Sequence, residues 1–280
     1  RGLAMGIVTS SVGIGMVVMA PVAAYLIVGY GWRTSYLVMS FIAFIGIIPL
    51  AFLLKRAPAE VALRKREQQP EKTPDTATRD YTLRQALGHR NLWLLMGMWF
   101  VCAGCLGLIA THIVPHAMDT GITATRASLI MSILGAMSVA GKLGLGRASD
   151  NMGRKRALII AGAIMTVSMA WLLGASNLWM LYLFAVIYGF AYGGYASPST
   201  ALIGDTFGIR HLGLIMAVID AGWGIGSAVG PALAGYLFDI SGGYTSAFIA
   251  ALIGALLSML LAMFLRQPQP RVVILSKEQR

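Results

Sequence analysis

The chain alternates long apolar runs with short polar breaks, and the runs have the length of bilayer spans. A hydrocarbon core about 30 Å thick takes about 20 apolar residues in a helix. Eight runs qualify: 2–28, 34–54, 91–115, 126–147, 157–175, 178–203, 211–238 and 244–265. In lipid the backbone must satisfy its own hydrogen bonds, so each run predicts a helix. The expected fold class is an all-α integral membrane protein with eight transmembrane helices. One segment breaks the rhythm. Residues 55–90 are charged, contain proline and are short of apolar side chains, which predicts a water-exposed linker with room for a short surface helix. The chain then divides into two helices in 1–54, the linker 55–90, six helices in 91–266 and a polar tail, 267–280.

Composition supports a lipid solvent. Hydrophobic residues make up 57% and charged ones 12%, against about 25% charged in soluble domains. The net charge of +11 would suggest nucleic acid in a soluble protein, but its placement says otherwise. Eight spans put Arg1, the linker, 147–156, Arg210 and 266–280 on one side, and these hold nineteen of the 22 Lys and Arg. Arg33 and Arg126 fall on the other side, and Lys142 lies within a span. The basic side is expected to be cytoplasmic. The charge therefore reports orientation in a cell (inner or plasma) membrane, and no nucleic-acid partner is expected.

Several motifs carry less than their spelling suggests. Cys102 and Cys105 form a C-x-x-C inside an apolar run. Neither a βαβ context nor further ligands accompany them, so they read as small packed residues. GWGIG at 222–226 follows no strand and is no dinucleotide loop. No metal, cofactor or enzymatic activity is expected. Arg1 opens the chain directly on an apolar run without a cleavage pattern, so the sequence reads as starting within a longer protein. Gly2/Gly6, Gly189/Gly193 and Gly226/Gly230 have the spacing that lets helices approach closely. Pro21, Pro49, Pro115, Pro198 and Pro231 fall in or at the ends of spans, where neighbours can satisfy the freed carbonyls.

The candidate chemistry is sparse. Lys142 is a cation within a span, which costs about 2.5–3.5 kcal/mol on insertion scales. It either faces a cavity and attracts an anion, or snorkels to the nearby end of its run. Asp220 is the acidic residue well inside a span, and a carboxylate at that depth can carry a proton. Asp220 and Lys142 are expected on one cavity wall. Tyr188, Tyr192 and Tyr195 share a broad helical face and can orient a ligand or bridge helices. Trp223 lies one turn beyond Asp220. His112 and His116, one turn apart, can shuttle protons or pack at the interface.

The segment GRASDNMGRK, 146–155, resembles the G-x-x-x-D-x-x-G-R-K/R loop of the major facilitator superfamily. In this reading Gly146 and Gly153 permit a tight turn, Asp150 meets the N-terminal end of the first helix, and Arg154 anchors the next helix at headgroups. RGLAMG at 1–6 with GWR at 31–33 resembles the fifth helix and the turn into the sixth. GPALAGYLFDISGGY at 230–244 resembles the eleventh helix and the turn into the twelfth. The resemblance implies that 1–54 holds the last two helices of an N-terminal bundle and 91–266 a whole six-helix C-terminal bundle. The first four helices would be missing partners of the same protein.

THIVPHAMDTGI at 111–122, SILGAMSVAGKLGLG at 132–146, IYGFAYGGY at 187–195 and GDTFGIRHLG at 204–213 are similar to the monocarboxylate porters and oxalate:formate antiporters. That branch commonly has an arginine where this chain has Lys142, and its animal porters have an aspartate where this chain has Ser138. The antiporter's lysine in the eleventh helix has no counterpart in 211–238, so the likeness does not extend to a two-cation dicarboxylate site. The resemblance implies a secondary active transporter of a small organic anion, with a monocarboxylate as the favoured cargo, moved by alternating access. Partners would be that anion, a proton or counter-anion, and membrane lipid. Substrate contacts would come from Lys142, Asp220, Tyr188, Tyr192, Trp223, Ser138 and His112, and gating from Gly146, Asp150, Gly153 and Arg154. Two other readings stay open: an efflux porter for amphipathic compounds in which Asp220 recognises a cation, and a membrane sensor that does not transport.

Overall fold

The computed structural model describes residues 2–53, 80–208 and 210–266, with side chains described from residue 11 onward and not at 53. Most of the linker (54–79) and the tail from 267 lie outside the described residues, so the domain boundaries set there remain expectations. The described residues form eight helices: α1 Gly2–Leu53, α2 Leu83–Leu87, α3 Arg90–Asp119, α4 Ala124–Met152, α5 Arg154–Leu173, α6 Leu178–Phe207, α7 Leu212–Ser241 and α8 Thr245–Met263. Helices α3 to α8 coincide with the six C-terminal runs to within a few residues at each end.

The two N-terminal spans are both helical, but one residue joins them where a loop was expected. Gly31, at φ 78° and ψ 163°, interrupts α1 in a conformation that only glycine adopts freely. An unbroken helix of 52 residues would be about 78 Å long, more than twice a bilayer core, so α1 holds enough chain for two spans. The part after Gly31 exposes Tyr36, Leu37, Phe41, Phe44, Ile47 and Phe52.

Two parallel helix pairs form the centre of α3–α8, and glycine sets both spacings. On α7, a Cβ at Gly222 would stand 2.7 Å from the Met96 carbonyl, one at Gly226 would strike the Phe100 carbonyl, and one at Gly230 the Gly104 carbonyl. The offset between the two helices is constant, as parallel α3 and α7 require. On α6, Gly189 and Gly193 stand in the same way against Leu134 and Ser138 of α4. The Gly189/Gly193 and Gly226/Gly230 pairs thus act as their spacing suggests, while Gly2/Gly6 lies outside the residues whose packing is described. α5 packs against α6 and α8, and α8 against α3.

α1 crosses α4 in the opposite direction. A Cβ at Gly13 would lie 2.6 Å from the Gly135 carbonyl, and the Ser132 hydroxyl donates to Val17 O at 3.0 Å. That antiparallel register carries the basic end of α4 toward the first turns of α1.

A polar and aromatic junction closes the same end of the bundle. α2 carries a capping box, Thr82 with Gln85, which fixes its start. Tyr81 N donates to Phe207 O at 3.0 Å, and Asn91 Nδ2 donates to Arg266 O at 2.8 Å. The rings of Tyr81, His89 and Phe207 meet edge to face. Burial, aided by the charge of Arg266, holds His89 below the usual imidazole range. The chain leaving the linker is thereby tied to the ends of α6 and α8.

Candidate functional site

A cavity of about 250 Å³ opens between α3, α6 and α7, lined by Trp99, Cys102, Tyr192, Tyr195, Ala196, Ser199, Asp220 and Trp223. Its walls are mainly aromatic. Trp99 and Trp223 meet at 5.8 Å between ring centroids and 72° between planes, and Tyr192 lies 6.3 Å from Trp223 at 37°. Tyr188, fully buried behind them, stacks on Tyr192 at 6.4 Å and 8°. The Tyr195 hydroxyl is engaged with Ser258 Oγ of α8 at 2.6 Å, and the Ser199 hydroxyl donates to Ala196 O at 2.8 Å. The lining's one ionisable carboxylate is Asp220.

The cavity is deep. Trp99 lies nine residues into α3 and Asp220 eight residues into α7, which at 1.5 Å per residue is about 12–14 Å from each helix start. The parallel packing of α3 on α7 holds both at one level, near the middle of a bilayer core.

Of the expected site residues, the structure brings together Tyr192, Asp220 and Trp223, with Tyr188 directly behind. The others lie elsewhere. Lys142 is 7% exposed and does not line the cavity. It follows Gly135 and Ser138 by seven and four residues, so it lies on the α4 stripe that meets α1. Among the described residues the ion pairs are Arg154–Asp150 and Arg154–Asp205, and neither involves Asp220. The expected shared wall for Lys142 and Asp220 is therefore not found, because α4 packs on α6 and α1 while α7 packs on α3.

Ser138 is buried at the α1–α4–α6 crossing, where its hydroxyl donates to Gly135 O at 2.7 Å. His112 stands 3.4 Å from Pro231 O and beside the Tyr244 ring, thirteen residues from Trp99 and so about 20 Å along α3. His116 packs against Tyr244 and Phe248. Both histidines belong to the far end of the bundle.

The 146–155 segment is part helix and part turn. Gly146 is within α4 and does not make the turn. It admits Ser197 of α6, whose Oγ would lie 2.8 Å from an added Cβ. Gly153, at φ 92°, makes the turn alone. Asp150 pairs with Arg154 at 2.5 Å, and the same guanidinium lies 3.5 Å from Asp205 near the end of α6. Arg154 thus ties α4, α5 and α6 together, where the sequence suggested a headgroup anchor.

Sequence reasoning missed Trp99 and the part Cys102 plays in the wall. A signal was present. Trp32, Trp93, Trp171 and Trp179 fall near Gly31 or near helix ends, the usual aromatic-belt positions. Trp99 and Trp223 do not, and a tryptophan deep in a span needs a packing or binding reason.

Helices of bilayer length around a deep cavity with a single carboxylate define a class: a polytopic membrane protein shaped to hold a small solute between its helices. Comparison with known proteins gives the family. The Major Facilitator Superfamily profile matches residues 1–119 and 100–280, and the chain belongs to that superfamily, whose members are transporters and not enzymes. It is 25% identical over 266 residues to monocarboxylate transporter 12 of Xenopus laevis, covering 88% of this chain and 57% of that protein. It is 25% identical over 256 residues to monocarboxylate transporter 13 of Rattus norvegicus, covering 88% of this chain and 55% of the relative. It is also 27% identical over 233 residues to the uncharacterised MFS-type transporter YhjX of Escherichia coli K12, covering 81% of this chain and 55% of that one. The chain thus spans little more than half the length of these relatives.

Proposed function

We propose that the protein is a secondary active transporter of a small organic anion, with a monocarboxylate as favoured cargo. The observation that carries this reading is Lys142: a cation buried in a span, on the α4 face that meets α1. In the facilitator architecture that face separates the two bundles, which rock around a central site. A cation kept there against its insertion cost is suited to draw a carboxylate into the path. Asp220, in its own cavity, supplies a proton site. Arg154 and its two carboxylates at the basic end of α4 hold one closed arrangement. The names of the monocarboxylate relatives support the same cargo class.

The test is uptake by the full-length protein in proteoliposomes with an imposed proton gradient. Labelled lactate should accumulate above equilibrium. Binding without accumulation would favour the sensor reading. Resistance to amphipathic compounds with indifference to lactate would favour efflux.

The proposed orientation places the linker and tail in the cytoplasm of an inner or plasma membrane. Single cysteines at Thr76 or Gln269, in a background without Cys102 and Cys105, should resist an impermeant maleimide in intact cells and react after permeabilisation. Ready labelling from outside would reverse the orientation.

A further inference from the structure

The lining of the cavity has a chemistry that a carboxylate cargo alone does not use. Trp99, Trp223, Tyr192 and Tyr195 surround a space of about 250 Å³ whose one ionisable carboxylate is Asp220. Trp99 meets Trp223 edge to face at 72° and Tyr192 lies tilted at 37° to Trp223, so the three rings form one contiguous aromatic cluster in the lining. The Tyr195 hydroxyl is held by Ser258 and the Ser199 hydroxyl by Ala196. The indole nitrogen of Trp99 keeps a buried donor without a partner, while the lining's one formal charge is the carboxylate of Asp220. Lys142, the cation buried in a span, is not in this lining.

Aromatic faces around a carboxylate attract positive charge in two ways. The ring quadrupoles hold a cation over their faces, with tryptophan the strongest, and methylated ammonium groups are the ligands such cages suit best. The carboxylate, which is exposed to the cavity opening, adds a direct Coulomb attraction. A compact, weakly hydrated nitrogen bearing methyl groups also satisfies the apolar walls. We propose that this cavity is a binding site for a methylated ammonium group. Asp220 is its counter-ion, and Trp99, Trp223 and Tyr192 are its aromatic walls.

Only the consequence for transport rests on the proposed transporter function. A cargo that is purely a carboxylate needs a proton at Asp220 to balance that charge. A cargo that carries its own cationic nitrogen supplies the balance itself. The cavity therefore widens the cargo class from simple monocarboxylates to small molecules bearing a methylated ammonium.

The probe pair is choline and its neutral isostere 3,3-dimethyl-1-butanol, titrated into the purified full-length protein in detergent. Binding is read by isothermal calorimetry and by quenching of tryptophan fluorescence. Choline should bind at least about tenfold more tightly than the isostere, because the two differ in charge and hardly in shape. Asp220→Asn should weaken choline about tenfold or more and leave the isostere unchanged. Trp223→Leu should weaken choline, and Trp223→Phe should restore part of the loss.

Equal affinity for the two probes, or no binding of either, would overturn the proposal without the need for any variant. So would an Asp220→Asn chain that elutes as a monodisperse species and binds choline as tightly as the unaltered one. Lactate accumulation in proteoliposomes alongside a failed choline titration would leave the transporter reading standing and remove only this site.

Discussion

Replacing Gly226 with leucine should abolish the folded bundle, and replacing it with alanine should already weaken it measurably. The Cβ that either residue adds would strike the Phe100 carbonyl, which belongs to the α3 backbone and not to a side chain that can swing aside. Overpacking of an ordinary core costs about 1–3 kcal/mol. Here the only relief is to separate α3 from α7, which would also unseat Gly222 from Met96 and Gly230 from Gly104. Membrane helices associate through such close packing, since lipid supplies no hydrophobic drive. Gly224, two residues earlier on α7, is the control, because no atom lies within 4 Å of its added Cβ. Gly224→Ala should be neutral or slightly stabilising by helix propensity. Size-exclusion profiles and thermal midpoints in detergent separate the two positions. Equal behaviour of Gly226→Ala and Gly224→Ala would show that the α3–α7 spacing is not set by these glycines.

The same glycines mark what was legible in the sequence. Their spacing points to close helix contacts, and span lengths give six of the helices to within about five residues at each end, because both signals are local. The sequence predicts a turn at both Gly146 and Gly153, whereas Gly153 alone turns the chain. The two glycines look alike in sequence, and only the course of α4 through Met152 distinguishes a residue inside the helix from one at its cap. The cavity was half legible. Asp220 and Trp223 stand out as polar and bulky groups in an apolar run. Trp99 carries a local signal as a tryptophan deep in a span, but its meeting with Trp223 and the place of Cys102 in the wall depend on the register of α3 against α7, which no local pattern encodes. The expected meeting of Lys142 with Asp220 failed for the same reason: charge complementarity suggests partners, but helix neighbours decide them.

The largest functional effect should come from Lys142. Snorkelling would leave its ammonium in water or among headgroups. At 7% exposure the side chain instead ends inside protein, on the stripe of α4 that faces α1. In the full-length transporter, Lys142→Gln should abolish uptake of labelled lactate, because it removes the charge at similar size. Lys142→Arg should retain part of the activity, since it restores the charge with a different shape. Asp220→Asn should act differently: proton-driven accumulation should fall more than exchange of internal for external lactate, because exchange needs no net movement of a proton. The contrast between the variants is what links anion and proton through one coupled cycle. If Lys142→Gln folds and accumulates lactate at the normal rate, the cation is structural. The carboxylate must then be recognised by residues other than Lys142.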